Sequence, residues 1–85
     1  MKVLIPSALL SYTESSRTDA RGDTLAELLA DLDRQYTGIR FRVLDEQDHI
    51  RRHIRIFING VQAGDITHPV ADSDEVIIVQ ALSGG

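Results

Sequence analysis

The residues whose type and place could do chemistry stand at the end of the sequence, where Ala81-Leu82-Ser83 leads into Gly84-Gly85. Neither glycine carries a Cβ, so the pair is a thin strip of backbone able to enter a narrow channel. A C-terminal carboxyl has a pKa of roughly 3.3–3.7, and near neutral pH it is an anion and a poor electrophile. Chemistry there requires another molecule to activate it. The expectation is a terminus that is acted upon, on a chain that supplies no general acid or base. A frayed end or a cloning remnant is the plain alternative.

Other candidate groups are weaker. His49 and His53 stand four apart and could share a helical face. No glutamate follows His49 as a zinc-protease motif requires, and no third ligand is near in sequence, so no metal is expected. Asp31 and Asp33 lie two apart on a helix and do not face one another. Arg21-Gly22-Asp23 matches an integrin-recognition string but reads as a turn before a helix. The arginines from Arg40 to Arg55 could form a patch for RNA or phosphate. The reading preferred here pairs them with Asp45, Glu46 and Asp48, or with an acidic partner. No phosphate-cradling glycine loop and no Ser/His/Asp set is evident.

The bulk properties narrow the classes. A chain of 85 residues makes one domain, and at this size only about 60–65% of the unfolded surface is buried. A deep pocket is not expected. With no cysteine there is no disulfide, thiol nucleophile or thiolate metal site, which suits a reducing compartment. A net charge of −4 argues against nucleic acid. The cations are eight arginines and one lysine, Lys2, so isopeptide attachment has few footholds. Met1 to Pro6 is too short for a signal peptide, and no stretch approaches the roughly 20 apolar residues of a membrane span. A cytoplasmic protein with no membrane or nucleic-acid partner is the expectation.

Positioning elements follow from periodicity. Met1 to Pro6 predicts a strand with Val3 and Ile5 on one face and Leu4 on the other. Ser7 to Arg21 is polar, with a turn near Thr13 to Ser16 and a short strand around Arg17 to Ala20. Thr24 and Glu27 have capping-box spacing, and Leu25, Leu28, Leu29, Leu32 and Tyr36 form one helical stripe. Gly38 is placed to end that helix in a left-handed cap. Ile39 to Arg52 reads as charged and irregular. His53 to Ile58 alternates, with Ile54, Ile56 and Ile58 on one face and Arg55 and Phe57 on the other. Asn59-Gly60 signals a type I′ hairpin returning through Val61 to Asp65. Thr67 to Asp74 is loop, and Glu75 to Leu82 is apolar on both faces, as a central strand would be. The order is strand, strand, helix, then three strands. An apolar helix stripe must pack on one sheet face, and the first and last strands are the natural central pair. The fold class is α+β, a β-grasp with a mixed sheet of about five strands on one main helix. Its domain spans 1–81, with 82–85 as tail.

The chain resembles the ubiquitin-like sulfur carrier family of the MoaD, ThiS and CysO type over its whole length. The resemblance runs through the opening strand, Gly22-Asp23-Thr24-Leu25, Ile56-Phe57-Ile58-Asn59-Gly60, Asp72-Ser73-Asp74-Glu75-Val76 and Ala81-Leu82-Ser83-Gly84-Gly85. The arginine-rich segment is most similar to that of MoaD-like and CysO-like members, and exceeds what compact ThiS members carry. The resemblance implies that an E1-like adenylyltransferase of the MoeB or ThiF type uses ATP and Mg²⁺ to adenylate Gly85. A sulfur donor then converts it to a thiocarboxylate. Leu82, Ser83 and Gly84 would thread the partner's active site. This chain itself would bind no cofactor and catalyse nothing. The sulfur would pass to a receiving synthase, of the molybdopterin synthase large subunit or cysteine synthase type, with thiamin synthesis less favoured. Family members dock through the outer sheet face, here Leu4, Ile77 and Val79, an apolar patch beside the tail. A protein modifier conjugated through Gly85 to target lysines, and a plain interaction module, remain alternatives.

Overall fold

Alternation in the apolar segments builds one five-stranded sheet. The computed structural model describes residues 1–81. Its strands are β1 (Lys2–Leu4), β2 (Arg17–Asp19), β3 (Ile54–Ile58), β4 (Val61–Gln62) and β5 (Glu75–Gln80), in the spatial order β2-β1-β5-β3-β4. β5 lies in the middle, parallel to β1 and antiparallel to β3. That double flanking is why its sequence is apolar at successive positions. Val3, Ile5, Ile54, Ile56, Ile58, Val76 and Ile78 are buried on the inner face.

The helices are α1 (Leu10–Thr13), α2 (Leu25–Gln35) and α3 (Ile39–Val43). α2 buries Leu25, Leu28, Leu29 and Leu32 in the same core as the inner sheet face. Its start is satisfied at several donors. Thr24 Oγ1 accepts from the Glu27 N–H at 3.3 Å, and the Glu27 carboxylate accepts from the Asp23 N–H at 2.9 Å. The N–H groups of Leu25 and Ala26 donate to the carbonyls of His68 and Ile66, so the loop before β5 clamps the helix start. At the other end Tyr36 OH and Thr18 Oγ1 lie 2.8 Å apart, linking the helix terminus to β2. The arrangement is a β-grasp.

Four local expectations change. The polar Ser7 to Arg21 stretch contains a 3₁₀ turn, Ser7–Leu9, running into α1, with Leu9 buried. So short a helix has no readable period and depends on its packing. Gly38 has the expected positive φ of 99°, yet α2 ends earlier, at Gln35, and Gly38 caps the start of α3. Ile39 to Val43, read as irregular, is that helix, and it buries Ile39 and Val43. β4 keeps only Val61 and Gln62 of the five residues expected to pair. The turn before it has positive φ at Asn59 and Gly60, as expected.

In urea titrations, Leu32→Ala is expected to cost about 2–5 kcal/mol, since Leu32 is wholly buried. Thr24→Ala is expected to cost about 1 kcal/mol, the worth of one cap; equal losses would contradict this division. A pH test follows from Asp74. The Asn59 amide and the Ala71 N–H both donate to its carboxylate and hold its pKa below the ordinary aspartate value. A depressed folded pKa adds stability above the unfolded value that is lost as pH falls through the folded one. The urea midpoint should therefore fall on acidification below about pH 4, and less steeply in Asp74→Asn.

Candidate functional site

The predicted site residues Leu82, Ser83, Gly84 and Gly85 lie outside the described residues. What the structure places is the root from which they continue. β5 ends at Gln80, opposite Ile54, and the Ala81 N–H donates to the His53 carbonyl at 2.7 Å. The exit point is thus pinned to the beginning of β3.

Leu4, Ile77 and Val79 share the outer sheet face. Register puts Leu4 opposite Ile77 and Ile77 opposite Phe57, an apolar row across three adjacent strands. Leu4, Ile77 and Phe57 are half-buried, and Val79 is 39% exposed. Arg17, opposite Leu4, and Gln62, opposite Phe57, bound the row. Phe57 was not included in the expected docking patch. Alternation in β3 had already put it on this face, and only the β3–β5 register brings it against Ile77. At the far end of the face, Lys2 Nζ stands 3.9 Å from Glu75.

The arginine-rich segment folds beside the tail root. The Asp33 carboxylate accepts from the N–H groups of Gly38 and Arg40 and anchors the start of α3. Asp31 instead accepts from the Arg21 N–H, Arg34 and Gln35, so the two aspartates hold different segments. Asp45 closes a turn by accepting from the N–H groups of His49 and Gln47. Those bonds, His49 first, keep its pKa below 3.8. The anticipated pairing with Asp45, Glu46 and Asp48 is confined, among the described residues, to Arg40 and Asp48 at 2.9 Å. Arg51 donates Nε to the Phe41 carbonyl at 2.8 Å, and its guanidinium lies 4.7 Å over the Phe41 ring. Arg55 donates to the carbonyls of Arg52 and Ile54. A groove of about 290 Å³ opens here, lined by Leu9, Phe41, Arg42, Arg51, His53 and Gln80. His49 sits in the Asp45 turn and His53 precedes β3, so no helix carries them on one face. Among the described residues no His, Cys, Asp and Glu cluster could hold a metal, and no helix is long and apolar enough to cross a membrane.

β5 thus leads to a pinned root at Ala81, with an apolar face alongside and Gly84 and Gly85 three and four residues further along the sequence. The family model described as ThiS family matches residues 3–85. The chain belongs to the ThiS family. Within it, the sulfur carrier protein CysO of Mycobacterium tuberculosis is 33% identical over 89 residues, covering 98% of this chain and 96% of that protein. Among solved structures, a chain of the Amycolatopsis orientalis BexX/CysO complex superposes with a TM-score of 0.90 at 28% identity, over 99% of this chain and 98% of that one. SAMP1 of Haloferax volcanii superposes with a TM-score of 0.78 at 26% identity, over 100% and 98%. The two superpositions show that these solved structures share the overall fold described above.

The two faces of β5 in this ThiS-family chain make a direct test. Ile78→Ala should lose about 2–5 kcal/mol, as a core truncation does. Val79→Ala, one residue along, should stay within about 0.5 kcal/mol, as surface changes do. Chemical denaturation reads both, and similar losses would contradict the assignment of faces.

Proposed function

We propose that this protein is a sulfur carrier whose terminal carboxylate on Gly85 is the reacting group. The observation that carries the reading is the match to CysO, named a sulfur carrier protein, across 98% of this chain. The structure supports it in a second way. The central strand delivers the chain to a pinned root at Ala81, with an apolar face beside it for docking.

The chemistry needs no side chain of this protein. An E1-like partner transfers the adenylyl group of ATP, with Mg²⁺, to a Gly85 carboxylate oxygen, and pyrophosphate leaves. Hydrosulfide then attacks the acyl carbon. A C–S bond forms, the C–O bond to AMP breaks, and one proton is released, with no change of oxidation state. The thiocarboxylate sulfur bonds to an acceptor on a second enzyme, of the cysteine synthase or molybdopterin synthase type, and water then cleaves the acyl C–S bond and returns the Gly85 carboxylate. Leu82, Ser83 and Gly84 lead the terminus into each active site. Leu4, Ile77 and Val79, with Phe57 added, form the docking face. Accordingly the protein is a co-substrate rather than an enzyme, acting in the cytoplasm and binding no cofactor itself.

A second reading is a protein modifier joined through Gly85 to target lysines, and the likeness to SAMP1, a small archaeal modifier protein, favours it. Incubation with the E1-like partner, ATP and sulfide should yield an intact mass with one oxygen replaced by sulfur. Deleting Gly84 and Gly85 should abolish that product. An unchanged mass under these conditions, alongside lysine-linked remnants of the tail in digested cell extract, would decide for the modifier.

A further inference from the structure

We propose that the arginines around the tail root form a cationic collar that docks against a carboxylate-rich surface of the enzyme taking up the C-terminus. The inference rests on the carrier reading and adds the chemistry of the partner's rim. Five of the nine Lys and Arg residues fall between Arg40 and Arg55, with three carboxylates among them. Elsewhere ten carboxylates meet four cations. An acidic protein therefore keeps its cationic excess in one segment, and that segment lies at the tail exit. Arg42, Arg51 and His53 line the groove that also contains Gln80, the last residue of β5. Arg55 stands opposite Val79 and carries the charge onto the outer face, continuous with the apolar row.

Among the described residues only Arg40 of these five meets a carboxylate. Arg51 and Arg55 are held by carbonyl oxygens and the Phe41 ring, which orient a guanidinium without cancelling its charge. Arg42 and Arg52 are exposed.

Reach brings the partner close to the collar. Four residues follow Ala81, a length that spans at most about 14 Å when extended. An enzyme that holds the Gly85 carboxyl would lie within that distance of Ala81, where the collar is the neighbouring charged surface. Opposite charge there would speed encounter and fix orientation. The arginines spread over a groove and an adjoining sheet face, which suits an extended protein rim better than a single small anion. A long polyanion such as RNA would have to run past Asp45 and Glu46 and over an acidic body.

The test titrates ¹⁵N-labelled full-length protein with a decaglutamate peptide and, separately, a single-stranded oligouridylate. Peptide-induced shifts confined to Arg42, Arg51, Arg52, His53, Arg55 and Gln80, and lost in high salt, are the expected result. No shift, equal shifts at Arg17, Arg21 and Arg34, or tighter binding of the oligouridylate would overturn the proposal. Arg42→Glu with Arg52→Glu should remove the shifts while the rest of the spectrum keeps its dispersion, and Arg42→Gln with Arg52→Gln serves if that variant does not fold. With the E1-like enzyme, the charge-reversed protein should raise KM about tenfold with kcat unchanged. An equal effect from Arg34→Glu would reduce the collar to net charge and overturn it. Wild-type protein that shows the confined shifts but is never adenylated would count against the carrier reading alone.

Discussion

The structure depends on the pairing of β5 with both of its neighbours. β1 and β5 run parallel, and a parallel pair needs a long crossover between its strands. The rest of the chain supplies that connection, with α2 packed over the inner face as the crossover's main body. The β5 register then settles the two surfaces of the molecule. Val76 and Ile78 join the core, and Ile77 and Val79 are left outside against Leu4, Phe57 and Arg55.

The same pairing sets the tail. β3 is antiparallel to β5, so the beginning of β3 must lie beside the end of β5. The arginine-rich segment leads into β3, and it is carried to the exit point by that geometry. Asp33 at the start of α3, Arg51 on Phe41 and the Asp45 turn hold the segment there. Among the described residues, the salt bridge within the segment is Arg40 with Asp48.

A division of labour follows for a carrier of the ThiS family. β5 fixes where the last four residues begin, and under the proposed carrier role the surfaces around that root would select the receiving enzymes.

Most of the fold was legible in the sequence because its signals are local. The α2 stripe with Thr24 and Glu27, the alternation of Ile54, Ile56 and Ile58, and the Asn59-Gly60 turn each need only neighbouring residues. α1 and α3 were not legible. Each is about one turn long, carries no period, and persists because Thr13 in α1, with Leu9 just before it, and Ile39 and Val43 in α3 are buried by packing. For the candidate site, the diglycine and the outward set of Leu4, Ile77 and Val79 could be read directly from the sequence. Phe57 beside Ile77, and Arg51 and His53 beside Gln80, could not. Those neighbours are more than 15 residues apart, and only strand register, a long-range property, brings them together.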